Sequence, residues 1–322
     1  MKYQVSLIIP VYNVENYIQE ALLSALNQSL KHIEYILIDD YSTDDSMNIA
    51  KKIIDQHPRK QDIYIYKHDR NRGLSAARNT GLSNATAGYV FFMDSDDEIS
   101  IDCIAKHYKA IVDDKSSFTV ANMELVGAKS IHITEMSGSW TKTKPLTSFF
   151  QRKWNVSACN KLYSKEFLSE NNLKFCDGLI HEDVLWSYKL SLNAVNIGFV
   201  KEKTYVYKVR SGSITTQKNS GKKIESILHI IGEIITDYDK GLINREYLKD
   251  MCRFIDFWRL TSALLLLNSS ENMSSRRKYF KWIKDIDKFN SVNLYSLLLR
   301  LPFFLILAQL PYILYKRTVS FK

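Results

Sequence analysis

The 322-residue chain predicts an α/β fold in which a mostly parallel, Rossmann-like sheet has helices on both faces and is followed by a helical C-terminal region. Between residues 4 and 113, short apolar runs rich in valine and isoleucine alternate with amphipathic segments, which is the pattern of consecutive strand–helix units. Each apolar run ends in polar residues. From Gln217 onward the pattern is helical and poor in glycine.

Four strands, each followed by a helix, are predicted in the first part of the chain. The strands are expected at residues 4–10, 33–38, 62–66 and 88–93. The helices are expected at residues 14–28, 42–56, 74–84 and 101–113, with Asn13 as the first N-cap and Ser42 or Thr43 as the second. Because ligands bind at the carboxyl ends of parallel strands, a site is expected where these polar ends meet.

The alternation of strands and helices changes after residue 113. Paired strands are expected at 118–125 and 129–136, a short helix or loop at 144–152, a strand at 159–163 and a helix at 165–170. A helix at 181–193 and two short strands, at 195–200 and 204–209, complete this part. A boundary is expected near residue 216, and helices at 221–239, 243–268 and 273–288 follow it.

Three carboxylates, Asp94, Asp96 and Asp97, follow the fourth predicted strand. A buried carboxylate without a partner is costly, so this cluster must lie at the solvent edge of the sheet or hold a cation. Asp94 and Asp96 point to the same side of an extended chain. One or two carboxylates bind Mg²⁺ or Mn²⁺ when substrate phosphates complete its ligands. The alternative is a solvated turn that caps the next helix, and these residues alone leave both interpretations open.

The net charge of +9 is concentrated near the C-terminus. Residues 271–322 contain ten Lys or Arg against three acids, which suggests an anionic surface, either lipid or nucleic acid, as partner. Within them, residues 294–315 form the most apolar window, about the ~20 residues of a spanning helix. Arg300, Pro302 and Pro311 oppose a straight span, so an interfacial or re-entrant hairpin on an anionic membrane is expected. The alternative is a helix pair packed on the protein or within a homodimer.

The N-terminal segment and the cysteines bear on the compartment. Residues 5–11 are too short for a signal peptide and are expected to form a strand, so the chain is expected to start in the cytoplasm. The four cysteines lack Cys-x-x-Cys spacing, which favours reduced thiols over zinc sites or disulfides. With the basic, apolar tail, these features predict the cytoplasmic side of the cell membrane as the location.

Five segments resemble the family 2 glycosyltransferases of the GT-A fold, of the type that builds bacterial surface polysaccharides. In chain order they are VSLIIPVYNVENYI, LIDDYSTDDS, RNRGLSAARNTGL, FFMDSDD and HEDVLW, and the resemblance spans residues 4 to 215. It implies a nucleotide-diphosphate sugar donor, expected to be a UDP-sugar, a divalent Mn²⁺ or Mg²⁺ cofactor, and an inverting displacement.

The resemblance also implies roles for individual residues. Asp183 corresponds to the general base, and Asp96 to the metal ligand. Donor-binding roles fall on residues at the strand ends and in two loops. They are Pro10, Tyr12, Asn13 and Glu15 for base and ribose, Asp39 and Asp40 for the base, Arg72, Gly73 and Arg78 near the diphosphate and sugar, Asp94 and Ser95 for donor hydroxyls, and Arg210 and Ser213 in a segment that closes over the diphosphate. Asp97 is expected to cap or brace the turn.

Several of these residues have a simpler interpretation. Asp183 in the first turn of a helix could serve only the helix dipole, or the base could be its neighbour Glu182. Arg78 could be a cation on a helix surface. Lys161 could contact the acceptor or a phosphate, or be a strand-edge lysine. His181 is expected to be a loop or cap residue rather than a metal ligand.

The expected organisation is a catalytic domain at 1–216, with a nucleotide-sugar half at 1–97 and an acceptor half at 98–216, a helical extension at 217–290 and a membrane-associating tail at 291–322. The predicted function is metal-dependent, inverting transfer of a sugar to a hydroxyl of a growing, polyprenyl-diphosphate-linked glycan. The alternative is a catalytically inactive, nucleotide-sugar-binding partner subunit. Nucleic-acid binding is suggested only by the basic tail and lacks a recognition motif, so no nucleic-acid partner is expected.

Overall fold

The computed structural model describes residues 2–127, 136, 143–209, 220–267, 269, 271–286 and 288–289. Within them, eight strands form one mixed sheet in the order β3-β2-β1-β4-β7-β6-β8-β5. The strands are β1 (Val5–Val11), β2 (Ile33–Asp39), β3 (Ile63–Lys67), β4 (Tyr89–Phe92), β5 (Glu98–Ile99), β6 (Phe118–Val126), β7 (Leu162–Ser164) and β8 (Ile197–Lys208).

The helices pack on both faces of this sheet and continue beyond it. They are α1 (Ile18–Leu26), α2 (Ser46–Gln56), α3 (Leu74–Asn84), α4 (Cys103–Asp114), α5 (Pro145–Phe150), α6 (Lys165–Glu170), α7 (Glu182–Asn193), α8 (Ser220–Asp239), α9 (Leu248–Leu267) and α10 (Met273–Asp285). The predicted α/β class and the helical C-terminal region are therefore confirmed. Among the described residues, no helix has both the length and the apolar character needed to cross a membrane.

The predicted starts of the first two helices are wrong by several residues. Asn13 does not cap α1, because its backbone has a φ of 50° and its Oδ1 instead accepts the backbone N–H of Thr43 at 2.9 Å. Helix α1 begins four residues after Val14. Thr43 is consequently not the N-cap of α2, which begins at Ser46. Tertiary contacts between the two loops override the local capping signals.

The first four strands are parallel to one another, and the later ones are not. β1 lies between β2 and β4, and β3 pairs with β2, all in parallel. β7 is antiparallel to both β4 and β6, and β5 is antiparallel to β8. Every residue of β1 and β2 is buried, which is typical of parallel strands covered on both faces. The second part thus forms a mixed extension of a parallel sheet.

Two strand predictions in this extension need correction. The two short strands predicted at 195–200 and 204–209 are one strand, β8, which stays paired with β6 across a bulge where Val200 faces Ala121 and Lys203 faces Asn122. The strand predicted at 159–163 begins only at Leu162, because Asn160 is left-handed with a φ of 58°. The predicted partner strand at 129–136 lies almost wholly outside the described residues.

Asn160 is held by a buried polar network that joins α4, β6 and β8. Its amide nitrogen donates to the carbonyl oxygens of Ala121 and Asn122, both at 3.0 Å. Its Oδ1 accepts the Thr204 hydroxyl at 2.8 Å and lies 3.3 Å from His107 Nε2. His107 is fully buried, and burial lowers its pKa to about 3 despite the hydrogen bond with Asn160. The imidazole is therefore neutral at physiological pH.

Helix α3 lies unusually close to the sheet. A Cβ atom added at Gly81 would come within 2.3 Å of Ile8 Cγ2 in β1, so only glycine allows this approach. The contact fixes α3 against β1 and thereby holds its N-terminus, at Gly73, beside the carboxyl ends of the parallel strands. The packing of one small residue thus positions a potential anion-binding helix terminus.

The C-terminal helices pack against the same core as the sheet. Ile227 and Ile231 of α8 and Phe254 of α9 belong to one apolar cluster with the residues of β1, β2 and β4. The Phe254 ring lies 4.8 Å from that of Phe149 in α5, measured between centroids. Helix α10 instead packs through Ile283 in a smaller cluster with α8 and α9.

Candidate active site

The parallel register brings the polar strand ends to one edge of the sheet. Ile8 of β1 pairs with Ile36 of β2 and with Phe92 of β4. The residues that follow these strands therefore emerge side by side. They include Tyr12 and Asn13 after β1, Asp40 after β2, and Asp94, Ser95 and Asp96 after β4. Pro10 and Ser95 are buried within this edge, whereas Tyr12 is 45% exposed.

Asp40 organises the loop that leads into α3. One of its carboxylate oxygens accepts the backbone N–H of Arg72 at 2.8 Å and lies 2.6 Å from His68 Nδ1. The other accepts the backbone N–H of Gly73 at 2.8 Å. These contacts occupy three of the roughly four acceptor positions of a carboxylate. Asp39 beside it accepts the N–H of Ser42 at 2.8 Å, so the two acids shape the loops that follow β2 and precede α3.

Gly73 gives the α3 N-terminus its geometry. Its φ of 89° and ψ of 165° lie in a region that only glycine adopts readily. The first backbone N–H groups of the following helix have no carbonyl partner within that helix, so they favour the binding of an anion. Arg72 directly before it is exposed. The loop therefore presents a helix terminus and a cation at the edge of the sheet.

The loop after β1 is tied to the loop before α2. The side chain of Glu15 accepts the backbone N–H of Asp45 at 3.0 Å, and the backbone N–H of Glu15 donates to Asp44 Oδ2 at 3.0 Å. With the Asn13–Thr43 bond, these contacts join the two loops that flank the strand ends. Thr43 was predicted only as a helix cap, and neither it nor Asp44 was predicted to lie at this edge.

Arg78 is the centre of a buried ion-pair network. Its Nη2 lies 2.8 Å from Asp94 Oδ1, and its Nη1 lies 2.7 Å from Glu182 Oε1. The side chain is 3% exposed, which excludes the interpretation as a surface cation. Burial opposes its charge, but the neighbouring carboxylates and Cys159 outweigh this and raise the pKa of the guanidinium well above its usual value. Arg78 therefore joins the end of β4 to the start of α7.

Asp97 braces the acidic turn against β8, in line with the role expected for it. Its two oxygens accept the Tyr205 hydroxyl at 2.7 Å and the backbone N–H of Lys208 at 2.8 Å. The same Tyr205 oxygen accepts the backbone N–H of Asp94 at 3.2 Å. Burial, and then the negative charges of Asp94 and Asp96, raise the pKa of Asp97 to about 8. Three carboxyl groups thus lie at this turn, and Asp97 holds its proton more tightly than an exposed aspartate does.

A divalent cation suits this concentration of carboxylates. Among the described residues, no group of three or more His, Cys, Asp or Glu is placed to hold a metal ion by itself. Mg²⁺ and Mn²⁺ sites in phosphate-transfer proteins need only one or two carboxylates, with waters and substrate phosphates as the other ligands. Asp96, half-buried two residues from Asp94, has the chemistry for such an open site.

Glu182 and Asp183 form the first turn of α7 but differ in their contacts. Glu182 is held by Arg78, while burial, and then the charge of Asp183, raise the pKa of Glu182 to about 7 against the effect of that arginine. Asp183 is half-buried. His181 precedes them with a left-handed φ of 65°, and its ring lies 5.9 Å from that of Trp258 in α9.

Lys161 is fully buried, so it is not a strand-edge lysine. Its ammonium donates to the carbonyl oxygen of Ser157 and lies 5.4 Å from the ring centroid of Trp154. Burial lowers the pKa of Lys161 to about 7, although Cys159 and Asp183 oppose this. Two further predicted donor residues, Arg210 and Ser213, lie outside the described residues.

Comparisons with known proteins indicate the family to which the chain belongs. The family model described as "Glycosyl transferase family 2" matches residues 6–171. The glycosyltransferase GlyA of Streptococcus pneumoniae is 34% identical over 225 residues, which are 66% of this chain but only 31% of that protein. The chain thus spans about a third of that relative's length.

Two solved structures share the fold at low sequence identity. S. aureus TarS 1–349 in complex with UDP-GlcNAc has a TM-score of 0.64 at 20% identity, covering 88% of this chain and 90% of that one. The mannosyltransferase PcManGT of Pyrobaculum calidifontis, in complex with GDP-Man and Mn²⁺, has a TM-score of 0.62 at 15% identity, covering 99% and 85%. With the family match over more than half of its residues, the chain belongs to glycosyl transferase family 2 and has the GT-A fold.

Proposed function

We propose that the protein is an inverting, metal-dependent glycosyltransferase that uses a nucleotide-diphosphate sugar. The Arg78 bridge carries the proposal, because it joins Asp94 of the acidic turn to Glu182 of the helix that bears Asp183. The sugar carbon and the attacking hydroxyl would meet between these two segments. An inactive, nucleotide-sugar-binding subunit remains the alternative, and the retained Asp94, Asp96 and Asp183 argue against it.

The donor side would use the edge formed by the parallel strands. Tyr12, Asn13 and Asp40 would lie beside the base and ribose. Arg72 and the α3 N-terminus at Gly73 would face the diphosphate. A divalent cation bound with Asp96 would supply positive charge beside that diphosphate. UDP-sugars are the proposed donors. TarS, which binds UDP-GlcNAc, supports this, whereas PcManGT, which binds GDP-Man, shows that the fold also accepts another base.

The acceptor side would use Asp183 as the general base. Its carboxylate would take the proton of the acceptor hydroxyl as that oxygen forms a bond to the anomeric carbon and the bond to the diphosphate breaks. Such proton transfer contributes about 10²–10⁴-fold to the rate. A single direct displacement inverts the anomeric carbon. Glu182 is already engaged by Arg78, which favours Asp183 over Glu182 for this role.

The proposed acceptor is a growing glycan carried by a polyprenyl diphosphate at the cytoplasmic side of the cell membrane, in the synthesis of a surface polysaccharide such as a capsule. The basic and apolar character of residues 271–322 supports a membrane-bound acceptor. In this scheme residues 1–97 bind the donor, residues 98–216 the acceptor, residues 217–290 support the domain, and residues 291–322 associate with the membrane or with a second copy.

A donor screen tests the proposal. The purified chain is incubated with UDP- and GDP-sugars with Mn²⁺, with Mg²⁺ or with EDTA, and nucleotide release and thermal stabilisation are measured. At least one UDP-sugar is expected to raise the melting temperature and to release UDP in a cation-dependent manner. Donor binding without any release would instead support the non-catalytic alternative, and release that persists in both Asp183→Asn and Asp96→Ala would contradict the roles proposed for these two residues.

A further inference from the structure

Helix α10 has a positively charged outer face. Arg277, Lys278, Lys281 and Lys284 are exposed, and at 3.6 residues per turn they fall within an arc of about 120°. Asp285 is the acid in the same arc. None of the four cations forms a salt bridge with a carboxylate in the part of the chain that the structure describes. The face therefore presents positive charge that no carboxylate of the described residues pairs with.

Apolar side chains flank this basic face on both sides. On one side Trp282 is 39% exposed, and the Lys278 ammonium lies 4.4 Å from its ring centroid. On the other side Met273 is 57% exposed. A groove of about 610 Å³ lies there, and it is lined by Met273, Phe280, four basic residues of the helix and the acid Asp285. The surface thus combines exposed cations, which form no salt bridge with a described carboxylate, with exposed apolar groups at its edges.

The inner side of α10 is fixed to the rest of the protein. Ile283 is fully buried against Ile224 of α8 and Leu260 of α9. The buried Arg259 of α9 donates from Nε to the Ile283 carbonyl oxygen at 2.8 Å and from Nη2 to the Lys284 carbonyl oxygen at 3.2 Å. These bonds satisfy carbonyl groups at the helix C-terminus and set its rotation. The basic face therefore points outward in one defined orientation.

We propose that this face docks the protein on an anionic membrane, with its cations at the phosphates of lipid headgroups. Charge complementarity supports this occupant, because cations near an anionic leaflet attract it while an exposed tryptophan favours the bilayer interface. Sequence continuity supports it as well, since the apolar residues 294–315 begin within about ten residues of the end of α10. A nucleic acid would use the cations but not the apolar edges. The purpose of this docking, which is access to a lipid-linked acceptor, rests on the proposed function.

Vesicle binding by the full chain tests the docking face. Wild type, Arg277→Glu/Lys281→Glu and the matched control Lys51→Glu/Lys52→Glu, which makes the same charge change on exposed residues of α2, are sedimented with phosphatidylcholine vesicles with and without phosphatidylglycerol. Wild type and control are expected to bind only the anionic vesicles. The α10 variant is expected to bind them at least about 25-fold more weakly, because each lost cation contributes about five-fold and the two introduced acids repel the anionic surface.

Further readouts separate the outcomes. Thermal melting establishes that the α10 variant is folded. Trp282→Phe is expected to reduce the blue shift of tryptophan emission on anionic vesicles. Equal vesicle binding by the α10 variant and the control, or tighter binding of duplex DNA than of vesicles by wild type, overturns the assignment. UDP release by the control, measured in parallel, reports on the proposed function separately, so its absence contradicts that function and leaves the vesicle result unaffected.

Discussion

The two parts of the sheet build the site in different ways. In the parallel part, β1 to β4, the strand ends converge because parallel strands end at the same edge of the sheet. The hydrogen bonds of the Asp40 carboxylate come from a loop, His68 to Gly73, in the next strand–helix unit. In the mixed part, β5 to β8, side chains reach the site from far along the chain. Tyr205 braces Asp97 across 108 positions, and Glu182 meets Arg78 across 104. The proposed donor side is thus assembled from neighbouring strand–helix units, and the proposed catalytic side by contacts between residues about 100 positions apart.

The largest expected effect concerns the long-range side. Asp183→Asn removes the proposed base and is expected to lower kcat by about 10²–10⁴-fold, while donor affinity stays close to that of wild type because the donor edge is untouched. Steady-state UDP release and calorimetric donor binding measure the two quantities. Asp55→Asn, an exposed acid on α2, is the matched control. An equal loss of donor affinity and kcat would contradict the division of roles.

Arg78 tests whether the two parts are coupled. Arg78→Gln leaves Asp94 and Glu182 without their cation, and breaking a buried ion pair from one side is expected to cost about 3–5 kcal/mol of unfolding free energy. Arg78→Lys retains the charge but loses the second nitrogen, so a smaller loss is expected. Denaturant unfolding measures both. The exposed Arg70→Gln is the control. An equal loss of unfolding free energy in that variant would show that the buried ion pairs of Arg78 add no particular stability.

The buried His107 predicts that the mixed part is sensitive to acid. Its pKa in the folded protein, about 3, lies below that of the unfolded chain, near 6.5, so the unfolded state gains the proton first. Unfolding free energy is therefore expected to fall as the pH drops from 6.5 toward 3, by about 1.4 kcal/mol per pH unit from this group. The difference between wild type and His107→Gln isolates this contribution, and parallel pH curves for the two proteins would contradict it.

The smallest expected effect is local to the parallel part. Gly73→Ala is expected to cost about 1–3 kcal/mol and to weaken donor binding, because its backbone conformation suits glycine alone. A Cβ there meets no atom within 4 Å, so backbone strain is the whole cause. Gly88→Ala is an instructive control, since its Cβ also meets nothing within 4 Å and its φ is not in the positive region. Equal stability of the two variants would show that the loop accommodates a side chain.

Local patterns predicted elements more accurately than their ends. The helix predicted at 165–170 is observed at Lys165–Glu170, where the Ser164 side chain accepts the backbone N–H of Phe167. The predicted cap at Asn13 was wrong because that side chain bonds across to Thr43 instead. A capping side chain can bond either to the first turn of its own helix or to a neighbouring loop, and the position of that loop determines which bond forms.

By itself, the sequence determined the α/β class, the parallel strands and the family, because apolar periodicity and five ordered motifs are local properties of the chain. The tertiary structure decided the partners of the acids. Asp94, Asp96 and Asp97 are the same residue type in one short segment, but in the folded protein Asp94 pairs with Arg78 and Asp97 accepts the Tyr205 hydroxyl. Those partners come from α3 and β8, and no short-range pattern encodes which distant side chain will reach a strand end.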